Sequence, residues 1–110
     1  MQDLVNSGVE IDWDPKRLFY EPWKGLPGRM VLDPDLSIGA LRHEYQHFKD
    51  IRAAGYPGMG YYYENIAEFA KLEARAYRAE IRAARETGND DLVPAIIQQM
   101  RGRVRSLLGM

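Results

Sequence analysis

The stretch SIGALRHEYQHFKDIRAA occupies residues 37–54 and organises the rest of the chain around it. Ser37 is a favourable N-cap residue, because its hydroxyl can accept a hydrogen bond from a free backbone N–H of the first helical turn. Apolar side chains then recur every three or four residues, which is the period of one helix face. Glycines and a proline in residues 55–60 (GYPGMG) end this pattern. The stretch therefore predicts an amphipathic helix between Ser37 and Gly55.

Short strands are predicted before this helix, where turn-forming glycines and prolines are frequent. The segments between the turns are apolar or alternate with period two, which is typical of half-buried strands. Pro22 and Pro34 close the second and third of them. The three predicted strands are Val9–Trp13, Arg17–Tyr20 and Arg29–Leu32. We expect them to form a small antiparallel sheet.

Two further helices are predicted after residue 60. The first runs from about Tyr62 to Thr87 and is rich in Ala, Glu, Arg and Leu, which are strong helix formers. The second begins around Asp91, accommodates Pro94 in its first turn and continues almost to the end of the chain. The sequence thus predicts one α+β domain over residues 1–110, with a small N-terminal sheet followed by three helices.

Composition excludes several classes of protein. A chain of 110 residues with 45 % hydrophobic residues suits one core and is too short for two. No apolar run approaches the ~20 residues of a membrane span. The absence of cysteine excludes a disulfide scaffold and a Cys-ligated zinc site. A formal net charge of −1 argues against electrostatic capture of nucleic acid.

Both histidines of the chain lie in the predicted helix, in the HExxH pattern formed by His43, Glu44 and His47. Histidines four residues apart share one helix face, with Cβ atoms about 5–6 Å apart, and can bind one metal ion. Glu44 is placed to deprotonate a water molecule at a zinc ion, which also polarises the scissile carbonyl. The alternative is a pair of ordinary histidines. We favour metal binding because the only two histidines stand at ligand spacing.

A catalytic zinc ion needs a third protein ligand, and with no third histidine this ligand should be a carboxylate. Glu73 lies within the apolar face of the second helix, between Phe69 and Tyr77, so its charge requires a partner. That partner is a metal ion or, alternatively, an arginine. Glu80 shares the face and is the second choice. The candidates on this helix are Glu64, Glu68, Glu73 and Glu80, of which the first two face basic residues on a solvated surface.

These motifs resemble the zincin-like metallopeptidase toxin domains found at the C-termini of bacterial polymorphic toxins. The resemblance covers roughly Met30 to Asp91 and depends on the HExxH helix and on Glu73-Ala74-Arg75-Ala76-Tyr77 in the next helix. It implies a compact gluzincin with zinc ligands at His43, His47 and Glu73 and with Glu44 as the general base. The same arrangement is similar to short bacterial and phage peptidases that cleave transcriptional repressors.

The resemblance also implies a biological setting. The domain would belong to a larger secreted polypeptide, act on a protein or peptide substrate in the cytoplasm of a target cell, and be neutralised by a cognate immunity protein. Arg29–Leu32 would be the edge strand along which the substrate peptide lies by strand addition. The function predicted on this basis is zinc-dependent hydrolysis of peptide bonds. The alternatives are a regulatory, repressor-cleaving peptidase and a non-catalytic helical domain that binds metal or a partner.

Three further features have roles that the sequence leaves open. Asp50, three residues after His47, could accept a hydrogen bond from a zinc-bound histidine or could be an ordinary exposed residue. One of four tyrosines could donate a hydrogen bond to an oxyanion, although packing is their more common role. These are Tyr56, Tyr61, Tyr62 and Tyr63. Three C-terminal arginines do not share one helix face, so we expect a solvated surface there rather than the alternative of a nucleic-acid-binding surface: Arg101, Arg103 and Arg105.

Overall fold

The computed structural model describes residues 2–110, and their arrangement is α+β, as predicted. A small sheet near the N-terminus is followed by packed helices. In chain order the elements are α1 (Gln2–Asn6), β1 (Glu10–Trp13), β2 (Phe19–Trp23), β3 (Leu26–Leu32), α2 (Ile38–Ala53), α3 (Met59–Glu64), α4 (Ile66–Glu86), a 3-10 turn (Asp90–Leu92) and α5 (Val93–Leu108). The HExxH motif lies on α2, and Glu73 lies on α4.

The sheet is mixed rather than antiparallel. Its strand order is β1-β3-β2, and β3 pairs antiparallel with β2 but parallel with β1. The antiparallel prediction is therefore correct for the β2–β3 hairpin and wrong for β1. The reason is topological: the chain reverses between β1 and β2 and again between β2 and β3. Since both outer strands pair with β3, the first must run parallel to it.

The segment Arg29–Leu32 belongs to the central strand, so the expectation that it forms the sheet edge is wrong. Met30, Val31 and Leu32 are 0 %, 4 % and 0 % exposed, which means that both faces of β3 are covered. Three consecutive apolar residues are typical of a strand buried on both faces, and such a strand occupies the centre of a sheet. Pro22 lies inside β2 instead of closing it. This position suits proline because β2 is an edge strand.

Helix α2 begins and ends close to the predicted positions. The Ser37 hydroxyl accepts a hydrogen bond from the Ala40 backbone N–H at 3.0 Å, and the helix ends at Ala53. Phe48 and Ile51 are 0 % and 1 % exposed and belong to the same buried cluster as Met30 of β3. The buried face of α2 is thereby anchored to the sheet.

Helix α1 was not predicted, because five residues are too short to display a helical period. It contributes Leu4, which is 1 % exposed, to the same buried cluster. Its Asp3 carboxylate also binds the Arg52 guanidinium of α2 at 2.8 and 3.0 Å and the hydroxyl of Tyr45. The N-terminal segment is therefore attached to α2 by both apolar and charged contacts.

The single long helix predicted from about Tyr62 to Thr87 is two helices in the structure. Asn65, with φ −126° and ψ 69°, leaves the helical conformation between α3 and α4. This turn packs the buried ring of Tyr62 against Phe69, with ring centroids 6.2 Å apart. Helix α5 begins at Val93 with Pro94 in its first turn, as predicted. Across residues 2–110, no helix combines the length and the apolar character needed to cross a membrane.

Candidate metal centre

The two histidines of α2 lie one helical turn apart on the face that packs against α4. Their ring centroids are 5.0 Å apart and the rings are inclined by 74°. The His43 ring also meets Tyr77 of α4 edge-on, with centroids 4.6 Å apart. Because the opposite face of α2 is anchored to the sheet, the two imidazoles are held at the α2–α4 interface.

Glu73 of α4 completes a group of three possible metal ligands with His43 and His47. One ligating atom from each residue lies within 4.8 Å of the other two, and Glu73 Oε2 is 3.4 Å from His47 Nε2. Tetrahedral zinc bonds of about 2.1 Å place neighbouring ligand atoms about 3.4 Å apart. The His47–Glu73 separation already has that value, and the His43 ligating atom lies within 4.8 Å of both. The three residues could therefore hold a metal ion.

Glu80 also lies beside the histidines, where its carboxylate contacts the Nδ1 atom of His43. Its Oε1 lies 2.9 Å from His43 Nδ1. Burial lowers the pKa of His43, but the hydrogen bond to Glu80 and the neighbouring carboxylates outweigh burial and raise it. In the neutral imidazole, an acceptor at Nδ1 places the proton there and leaves Nε2 available to a metal. Glu73, and not Glu80, therefore belongs to the group that could hold a metal ion, and Glu80 contacts His43 at Nδ1.

The other histidine has no equivalent acceptor. His47 Nδ1 is buried and has no hydrogen-bond partner among residues 2–110. Asp50, the candidate acceptor, instead accepts hydrogen bonds from Gln46 at 3.1 Å and from Arg75 at 3.0 Å. Asp50 therefore connects α2 to α4, and the polar contact of the His47 ring is the one between its Nε2 and Glu73.

Glu44 lies beside the histidines and is fixed by the sheet. Its Oε2 accepts a hydrogen bond of 3.0 Å from the backbone N–H of Tyr20 in β2. Burial raises the pKa of the Glu44 carboxyl, and the attraction of His47 and His43 offsets this only in part. A carboxylate whose pKa is raised is a stronger base. One oxygen of Glu44 is thus held by β2, and the other accepts no hydrogen bond from residues 2–110.

Arg103 of α5 is a site residue that the sequence analysis missed. Its Nη2 lies 3.4 Å from Glu73 Oε1, on the side of the carboxylate away from His47. Burial raises the pKa of Glu73, but His47, Arg103 and His43 together lower it. Glu73 therefore has both partners that the sequence offered as alternatives, an arginine and a possible metal site. No sequence signal could have identified Arg103, because the contact joins helices 30 residues apart in the chain.

A cavity of about 220 Å³ opens beside the candidate ligands. His47, Glu73 and Arg103 provide its polar side, and Tyr20 and Pro22 of the edge strand β2 also border it. The remaining walls are mainly apolar and comprise Ile51, Met59, Tyr63, Phe69 and Leu72.

The four tyrosines after α2 separate into different environments. Tyr63 is 63 % exposed and borders this cavity. Tyr62 is buried in the core, and Tyr61 packs edge-on against it at 5.1 Å. Tyr56 accepts a backbone hydrogen bond from Gly25 in the β2–β3 turn at 2.8 Å. Only Tyr63 borders the cavity among the four.

Comparisons of the chain with protein-family models, with curated proteins and with solved structures find no match.

Proposed function

We propose that this protein is a zinc-dependent hydrolase of peptide bonds. The observation that carries the proposal is the convergence of His43, His47 and Glu73, whose ligating atoms lie within 4.8 Å of one another. Two imidazoles and one carboxylate form a ligand set typical of catalytic zinc, in which a fourth position stays open for water or substrate. Glu44 stands beside this set on the same helix, as the HExxH pattern requires of a general base.

The roles of the side chains follow from their positions. A bound zinc ion would polarise the scissile carbonyl and lower the pKa of water. Glu44 would accept a proton from the attacking water and pass it to the leaving amine. The Tyr20 N–H limits rotation of the Glu44 carboxylate by holding one of its oxygens. Tyr63, which borders the cavity, would donate a hydrogen bond to the oxygen of the carbonyl under attack.

The edge strand β2, which borders the cavity, offers backbone groups that a peptide substrate could pair with. The edge strand β2 borders the cavity at Tyr20 and Pro22 and has no neighbouring strand on its outer side within residues 2–110. The outward N–H of Tyr20 is used by Glu44, and Pro22 has no N–H. Strand addition here would therefore depend mainly on β2 carbonyl oxygens, which accept hydrogen bonds from a substrate backbone.

Metal content tests the ligand set. We expect protein purified without added metal to contain stoichiometric zinc by inductively coupled plasma mass spectrometry. H43A, H47A and E73A should lose most of this zinc, whereas E44Q should retain it. A folded wild type that neither retains nor takes up zinc would favour a non-catalytic helical domain and would overturn the proposal.

The rate of peptide hydrolysis tests the proposed role of Glu44 as the general base. E44Q should reduce kcat by about 10²–10⁴-fold, the usual contribution of a positioned general base. The matched control is E64Q, which changes an exposed glutamate of α3 in the same way and should leave the rate unchanged. Equal rates for wild type and E44Q, with equal zinc content, would exclude Glu44 from this role.

We further propose that the domain is the toxin module of a larger secreted bacterial protein, acts in the cytoplasm of a target cell and is neutralised by a cognate immunity protein. Resemblance of the HExxH and ExxAY motifs to polymorphic-toxin peptidases supports this setting. Cytosolic expression in bacteria should arrest growth, and E44Q should relieve the arrest. Harmless expression of an active enzyme would favour a regulatory peptidase of the repressor-cleaving type.

A further inference from the structure

The cavity beside the candidate metal centre combines apolar walls with a single cationic side chain, Arg103. We propose that it binds the C-terminal residue of a peptide, with an apolar side chain in the cavity and the free α-carboxylate on Arg103. The protein would then act as a carboxypeptidase. This inference rests on the proposed function, since it assigns a substrate class to the same site.

The apolar walls define what side chain fits. Ile51, Phe69 and Leu72 are buried core residues, so this part of the cavity has firm walls. An apolar void of about 150 Å³ accommodates a benzene ring. The cavity of about 220 Å³ therefore has room for one large apolar side chain, such as that of phenylalanine or leucine.

Arg103 has hydrogen-bonding capacity to spare. Its contact with Glu73 uses Nη2, and its Nε and Nη1 have no hydrogen-bond partner within residues 2–110. The guanidinium lies 5.4 Å from the centre of the Phe69 ring, and the side chain is 43 % exposed. A guanidinium presents its donors as a planar fork that matches a carboxylate. Packing on Phe69 thus holds a partly free fork at the cavity.

Arg103 lies close enough to the candidate ligands for one C-terminal residue of a peptide to contact both. One Glu73 oxygen faces His47 and the other faces Arg103, so a single carboxylate separates the guanidinium from the candidate metal centre. In a C-terminal residue the scissile carbonyl carbon and the α-carboxylate carbon are roughly 3–4 Å apart. In the proposed binding mode, a peptide whose last amide lies at the ligands places its carboxylate on Arg103. Hydrolysis forms a bond between the water oxygen and the carbonyl carbon, breaks the last amide C–N bond, transfers the remaining water proton to the leaving nitrogen and releases the terminal amino acid.

Ligand binding tests the inference without requiring turnover. The probes are N-acetyl-phenylalanine and N-acetyl-phenylalanine amide, titrated by calorimetry into zinc-loaded protein. They differ only in the terminal carboxylate. Because a charge-assisted hydrogen bond contributes more than a neutral one, the wild type should bind the acid about 10- to 100-fold more tightly than the amide.

Variants of Arg103 test whether its guanidinium causes the preference for the acid. R103Q should bind the amide as the wild type does and should lose the preference for the acid, whereas R103K should retain part of it. R101Q is the matched control, because Arg101 lies two residues away on α5 and borders a different groove. Zinc content is measured for each variant, since Arg103 contacts a candidate ligand. In hydrolysis assays, peptides with a free C-terminus should be cleaved at the last bond in preference to their amides.

Several results would overturn the inference. Equal affinity of the wild type for acid and amide, or no binding of either probe, would exclude a carboxylate subsite. An acid preference that persists in R103Q would assign the carboxylate to the metal instead. Cleavage of amidated peptides as fast as free acids would refute carboxypeptidase action while leaving the proposed hydrolase intact. Conversely, an Arg103-dependent preference in protein that hydrolyses no peptide would support the subsite and contradict the proposed function.

Discussion

Replacing Glu80 by alanine removes the acceptor that holds His43 without removing any of the three candidate ligands. The two side chains are only 13 % and 23 % exposed, so solvent screens their 2.9 Å contact weakly. Loss of such an outer partner typically reduces metal affinity by 10–100-fold. We therefore expect E80A to raise the Kd for zinc by about 10–100-fold, which corresponds to about 1.4–2.7 kcal/mol.

A glutamine at the same position separates orientation from charge. The amide oxygen of E80Q can still accept a hydrogen bond from His43 Nδ1, but it carries no negative charge. Its Kd for zinc should rise by less than about tenfold, because neutral hydrogen bonds are roughly half as strong as charge-assisted ones. E73A should bind zinc more weakly than either variant, since it loses a direct ligand.

The assay is competition with a chromophoric zinc chelator at constant pH, which reports Kd directly. E86A is the control, because Glu86 lies on the same helix and pairs with Arg42 at the exposed surface, 3.4 Å away. Wild-type affinity in E80A would show that His43 needs no orienting acceptor. A larger loss in E80A than in E73A would identify Glu80 as the ligand and refute our assignment of the two glutamates.

Three further predictions concern stability. Hydrogen bonds from Arg52 and Tyr45 lower the pKa of Asp3 to about 2, below the ordinary ~3.9 of an unfolded chain, so this stabilisation is present above about pH 4 and is lost as pH falls towards 2. The thermal unfolding midpoint of D3N should therefore lie below that of wild type near neutral pH. A difference between the two midpoints that persisted at pH 2 would contradict this linkage. Gly28 has φ 89°, and a Cβ there would lie 2.4 Å from the Glu21 carbonyl oxygen, so G28A should lower the free energy of unfolding by about 2–4 kcal/mol in urea titrations. Zinc at 100 times its Kd should stabilise the wild type by about 2.7 kcal/mol in thermal melts, and H43A should show no such gain.

Local sequence patterns were sufficient to predict helix α2 and the shared helix face of the two histidines. The Ser37 cap, the apolar period after it and the following glycines were sufficient to predict α2, because capping and periodicity act within a few residues. The spacing of His43 and His47 predicted their shared face for the same reason. Helical phase also placed Glu73 on the inward side of α4, where it is 13 % exposed.

Tertiary structure decided the remainder. Residues from separate elements had to meet in space to make β3 the central strand, to bring Glu80 to His43 and to let Tyr20 hold Glu44. Arg103 is the clearest case, since its helix phase alone predicted a solvated residue and the packing of α5 on α4 brought it to Glu73. A sequence period identifies which face of a helix is buried, but it carries no information about which other helix will cover that face.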